Sequence, residues 1–221
     1  MRKKRKRIGA ADRRKQILNV AQRLFARQGF RGTTTRQIAD EARVNEAIIF
    51  RHFRRKDDLY WAVLDEMTRR RNSREELRVM AAKRETSGGS HPGADEDFFT
   101  GVAEGILRRN KKEPAFTRLL LFSALERHSL SRRFFNTYTT VYWDMLAKYI
   151  RRRIRSGDFR NMNPLLAARS FTGMVAHYVW MQGLFAPGNY PQFNDRVISR
   201  TMARIWLGGM QSEPSVSRSH K

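Results

Sequence analysis

Thr34 followed three residues later by Gln37 is the pairing that ties off the first amides of a helix. Ile38, Ala39 and Ala42 give that helix a narrow apolar stripe. Arg43-Val44-Asn45 then breaks the pattern, and Asn45 is a good cap for a second short helix, Glu46 to Phe53. Ile49 and Phe53, four apart, face inward together and leave Glu46, Ala47, Arg51 and His52 outward. Two short helices joined by a three-residue turn form a helix-turn-helix, whose second member can enter a DNA major groove.

Phe25, Gly29, Phe30, Thr33, Thr34, Ile38, Ala39, Ala42, Val44, Ile49, His52, Phe53, Lys56 and Leu59 carry a more specific likeness. Over roughly residues 14–67 the chain resembles the TetR/AcrR family of bacterial transcriptional repressors. The resemblance implies an all-α chain: an N-terminal three-helix DNA-binding domain, then a larger helical domain for ligand sensing and dimerisation. It places phosphate contacts at Thr34, Thr35, Arg36, His52 and Lys56, and the dimer interface on the last two helices. Three positions depart from the family pattern. Arg43 stands where a turn glycine is usual, and a left-handed backbone there would cost about 1 kcal/mol, which a phosphate contact could offset. Phe50 replaces a usual tyrosine, and Arg55 a usual small helix cap.

Charge agrees with a polyanionic partner. The 221 residues carry a net charge of +24, and 40% are apolar, enough for a sizeable core. Residues 1–60 hold 18 Lys and Arg against 6 Asp and Glu, so half of the excess lies in little more than a quarter of the chain. With no cysteine, disulfides and thiolate metal sites are excluded. The basic start precedes no apolar h-region, and the most apolar stretch, 173–186, is too short to span a bilayer. A cytoplasmic protein without a membrane partner is expected.

Taken in order, the organisation is a basic disordered arm (1–11), the DNA-binding domain (12–60), a connecting long helix (61–85), a flexible linker (86–95), an effector-binding and dimerising domain (96–210) and a disordered tail (211–221). The arm includes six consecutive cations, Arg2 to Arg7, placed to reach phosphates or a minor groove. Asp12 can cap a first helix that ends at Gly29. One helix is expected from Lys56 to about Lys83, and TSGGSHPGAD after it reads as linker. Beyond it lie helices before Pro114, over 115–126, over 132–156, from Pro164 to about Phe185 and over 193–210. The helix after Pro164 is apolar almost all round and is expected to be enclosed by protein.

Base reading needs short side chains near a helix N-terminus, flanked by polar groups that reach base edges. Asn45, Glu46, Ala47 and Ile48 occupy that end. Ala47 and Ile48 could touch a thymine methyl, Glu46 could accept from a cytosine amino group, and Arg51 could donate to guanine or phosphate. The plainer role of helix cap is preferred for Asn45. Lys56 stands in a first turn, where the helix dipole opposes a cation, which points to a partner anion. The DNA-binding set is therefore Thr34, Thr35, Arg36, Arg43, Asn45, Glu46, Ala47, Ile48, Phe50, Arg51, His52 and Lys56.

In the second half, Phe99, Phe122, Tyr138, Tyr142, Met174, His177 and Tyr178 are candidates for lining an apolar cavity with a few polar tips. Ordinary core is the commoner fate of such residues, and His177 reads as a hydrogen-bonded core histidine. Neither metal-ligand histidine spacing, nor a phosphate loop, nor a nucleophile elbow is present. No enzyme activity, cofactor or metal is expected. The partners are double-stranded DNA, a second copy of the chain and a small apolar or amphipathic effector. The rival is a ligand-independent architectural or non-specific nucleic-acid binder, which charge alone would explain.

Overall fold

In the computed structural model, residues 9–86, 93–126, 129–185 and 193–211 are described. The basic arm at Arg2 to Arg7, most of the expected linker, the turn at Pro187, Gly188 and Pro191, and nearly all of the tail lie outside them. Eleven α-helices and two π-helical turns make up the described chain: α1 (Ala10–Gln28), α2 (Thr35–Glu41), α3 (Glu46–His52), α4 (Lys56–Arg71), α5 (Ser73–Thr86), α6 (Ala94–Lys112), α7 (Pro114–Leu125), α8 (Ser129–Phe134), a π turn (Phe135–Thr139), α9 (Thr140–Arg155), α10 (Pro164–Trp180), a second π turn (Met181–Phe185) and α11 (Asp195–Met210). The all-α expectation holds, and Phe159 with Gln211 form one isolated bridge.

The chain divides into two compact units, Met1–Arg71 with Glu113–Thr137, and Asn72–Lys112 with Tyr138–Lys221. This differs from the expected boundaries at 60 and 96, because α7 and α8 return to the first unit. The single helix expected over 56–83 is also two. Asn72 breaks it with a φ of 47°, a left-handed conformation that asparagine tolerates better than most residues. Asp12 does not cap α1. Gly9 occupies the cap position without a side-chain bond, and Asp12 lies in the first turn.

In the first unit Ile17, Leu18, Ala21, Leu24 and Phe25 of α1 are buried, as their helical spacing requires. Phe25 meets the Tyr60 ring edge-on at 4.8 Å, and Tyr60 meets Phe30 at 5.3 Å. The Tyr60 hydroxyl donates to the Leu119 carbonyl at 3.0 Å, and the Arg118 guanidinium donates to the Ala26 carbonyl at 3.1 Å. These bonds fasten α7 to α1 and α4.

The second unit is built on α6, α9, α10 and α11 around Phe99. That ring is fully buried and lies 4.3 Å from Trp206, 4.9 Å from Phe171 and 5.2 Å from Phe98. Asn163 caps α10 through bonds from the Leu165 and Leu166 amides, with Pro164 at the first helical position. Asn194 caps α11 in the same way, so that helix starts two residues later than expected. On α6, Asp95 accepts from the Tyr149 hydroxyl at 2.5 Å and from Arg153 at 2.8 Å. Replacing Phe99 by Ala should cost about 3–5 kcal/mol through the void left in this aromatic cluster. A urea midpoint equal to that of the wild type would exclude it.

Candidate nucleic-acid interface

Helix α3, the second of the helix-turn-helix pair, is only seven residues long, so its orientation depends on what it is fastened to. Ile49 and Phe53 are buried at 1% and 4% exposure, and the Arg14 guanidinium of α1 lies 5.1 Å over the Phe53 ring. Gln16 of α1 donates to the Ala42 carbonyl at 2.8 Å, and Arg23 pairs with Glu41 at 2.8 Å. With those positions fixed, Ala47, Phe50 and Arg51 are exposed, while Glu46, Ile48 and His52 are half-buried. Phe50 retains 46% of its surface.

The caps of α2 and α3 are where the sequence puts them. The Thr34 hydroxyl accepts from the Gln37 amide at 3.1 Å, and the Gln37 side chain accepts from the Thr34 amide at 2.8 Å. Asn45 Oδ1 accepts from the Ile48 amide at 3.0 Å, which engages Asn45 as a cap. Arg43 adopts a φ of 53°, the strained conformation its place in the turn implied. Thr35 and Glu46, which open α2 and α3, are joined by a hydrogen bond from the threonine hydroxyl to the carboxylate. The two helix starts are thus tied through two side chains that sequence reasoning had given separate roles.

Lys56 corrects an expectation. Its position needs no outside anion, because the ammonium donates to the Thr33 carbonyl at 2.7 Å and lies 4.1 Å over the Phe30 ring. Desolvation holds its pKa below the ordinary lysine value, with Asp57 and Glu126 opposing. Arg36 is exposed. A further residue went unread in the sequence: Glu126, whose carboxylate accepts from the amides of Phe30 and Arg31. Its separation of 96 and 95 positions leaves no local signal.

Of the seven cavity candidates, Phe99, Tyr142, Met174 and Tyr178 share one core cluster. Phe122 belongs to the first unit and the other six to the second. Phe99 is solid core, Tyr142, Met174 and Tyr178 are half-buried against that core, and His177 is exposed rather than interior. None of the seven lines the shallow cleft between α5 and α6, where Glu75, Glu76, Val79, Met80, Glu104 and Arg108 meet.

Residues 17–63 match the family model described as bacterial regulatory proteins, tetR family, and residues 107–206 match the AefR-like transcriptional repressor C-terminal domain. The chain belongs to the TetR family. Members of this family are transcriptional regulators with a DNA-binding helix-turn-helix, not enzymes. The HTH-type transcriptional regulator YvkB of Bacillus subtilis, itself uncharacterized, is 44% identical over 59 residues, 27% of this chain and 31% of that protein. The chain therefore aligns with less than a third of that relative's length. A putative transcriptional regulator from Pseudomonas aeruginosa superposes with a TM-score of 0.71 at 19% identity, covering 92% of both chains. AibR in complex with isovaleryl coenzyme A and operator DNA superposes with a TM-score of 0.63 at 20% identity, covering 87% of this chain and 97% of that one. At such identities the likeness is one of TetR fold. Among the described residues no helix is long and apolar enough to cross a membrane.

The turn strain gives a direct check on this TetR head. Arg43→Gly should raise stability by about 0.5–1 kcal/mol, because glycine adopts a positive φ freely. Thermal unfolding should move up by roughly 2 °C, and a fall instead would mean that the arginine side chain repays its strain inside the fold.

Proposed function

We propose that this TetR-family chain is a repressor that binds a palindromic operator as a homodimer and is released by a small apolar or amphipathic effector. The observation that carries the reading is the exposed ridge of α3, where Ala47 and Arg51 face outward beside Glu46 while Ile49 and Phe53 are buried. A helix so presented can lie in a major groove, with Ala47 and Ile48 against thymine methyls and Glu46 accepting from cytosine. Thr34, Thr35, Arg36, Arg43 and His52 flank that ridge and take the phosphates, which fix register, and Phe50, which has no donor for a phosphate, offers only an apolar face beside them. Asn45 serves by capping, and Lys56 by holding the loop ahead of α2.

A single head of this size contacts few bases, so pairing two of them one DNA turn apart supplies usable specificity. Support for pairing comes from α10 and α11. Leu166, Trp180, Val197 and Ile205 keep 62%, 40%, 55% and 66% of their surface. A second copy seated there would bury what one chain leaves open. Effector binding is assigned to the second unit, on the side of Tyr142, Met174 and Tyr178. AibR, which binds isovaleryl coenzyme A, has the same fold.

Three measurements test this. Glu46→Ala should relax preference at one base pair of each half-site, a loss of about 1–3 kcal/mol of discrimination, read from sequences selected by wild type and variant. If the two proteins select identical sites, Glu46 does not read a base. Ile205→Asp with Val197→Asp should leave monomers, raising the dimer dissociation constant about tenfold or more in light scattering. A strong preference for one duplex over scrambled competitors at physiological salt separates the repressor from a coating protein.

A further inference from the structure

Two consecutive backbone amides at the start of the α1–α2 loop are received by one carboxylate. Phe30 N donates to Glu126 Oε2 at 3.0 Å, and Arg31 N donates to Glu126 Oε1 at 3.1 Å. The Arg31 guanidinium adds a bond to the Glu126 carbonyl at 3.4 Å. Each carboxylate oxygen takes one amide, and a side-chain amide could not do the same, since one of its ends is a donor. Gly29, with a φ of 74°, is what permits the approach: a Cβ there would collide with Glu126 Oε1.

From this clamp the chain runs directly to the reading head. The Thr33 hydroxyl donates to the Gly29 carbonyl at 2.8 Å, and Thr34 caps α2. Thr35 then opens α2 and bonds the carboxylate of Glu46 at the start of α3. We propose that Glu126 is a positioning residue for sequence reading. By fixing the amides of Phe30 and Arg31 it sets where α2 begins, and through Thr35 and Glu46 it sets where the reading end of α3 points. This role rests on the operator-binding function proposed above. A carboxylate that only stapled α7 to the first unit would stabilise the fold without affecting discrimination between sequences.

The test uses the full chain and a duplex that the wild-type protein selects from a random-sequence pool. Glu126→Ala should bind that duplex about tenfold more weakly, while its affinity for a scrambled duplex stays within about twofold. Amide hydrogen exchange at Phe30 and Arg31 in the free protein should accelerate about tenfold or more with helix content unchanged. Glu126→Gln, which keeps the shape and one acceptor, should fall between the two, and it carries the same comparison should the alanine variant not fold. Equal losses on both duplexes, unchanged affinity for the selected duplex, or amides that stay protected would each overturn the proposal. A wild-type chain that selects no sequence would overturn the operator-binding function and this role with it. If the wild type does select one, an alanine variant that binds it equally overturns this role alone.

Discussion

A helix of seven residues has about two turns, too few to persist in water on its own. The reading ridge of α3 therefore exists because Ile49 and Phe53 are buried, and burying two positions four apart fixes the azimuth of every other side chain on the helix. Much of the first unit serves that anchoring. Phe25, Phe30 and Tyr60 interlock beneath the loop, Arg14 covers Phe53, and the carbonyl of Ala42 is held by Gln16. The exposed side of α3 can then carry residues chosen for nucleobases rather than for stability.

What could be read from sequence was chemistry that acts within four residues. The capping box at Thr34 and Gln37, the Asn45 cap and the Gly29 stop are present where spacing placed them, and Arg43 carries the positive φ that the family resemblance implied for its turn. What could not be read was chemistry between distant positions. Lys56 looked misplaced because its partners, the Thr33 carbonyl and the Phe30 ring, are more than twenty residues back in the chain. Glu126 looked like an ordinary helix end for the same reason. The break at Asn72 went unseen because nothing in the charged run around it marks a positive φ.

The apolar surface is divided unequally within the second unit. The sequence of α10 is apolar almost all round and was expected to be enclosed, but only one face is: Ala167, Ala168, Phe171 and Val175 are buried, while Leu166 and Trp180 remain open. Val197 and Ile205 on α11 stay open as well, although Ile198 and Trp206 beside them are covered. A monomer gains nothing from large apolar side chains kept in water. On two adjoining helices, they form the surface that the proposed second copy would cover.

Charge and pairing answer two different needs of a DNA reader. Those of its cations that meet phosphates give affinity for any duplex through counterion release, and that term weakens steeply as salt rises. That term does not distinguish one sequence from another. In the proposed repressor, discrimination comes from the few groups on α3 that would reach base edges, each worth about 1–3 kcal/mol. One head with two or three such groups cannot outcompete the vast number of non-specific sites in a genome, whereas two heads held one turn apart double the discriminating free energy. In the proposed repressor, an effector that favours a conformer with mis-spaced heads must supply about 1.4 kcal/mol of coupling for each tenfold loss in affinity, and misplacing one head is the geometric route by which that coupling would reach the DNA.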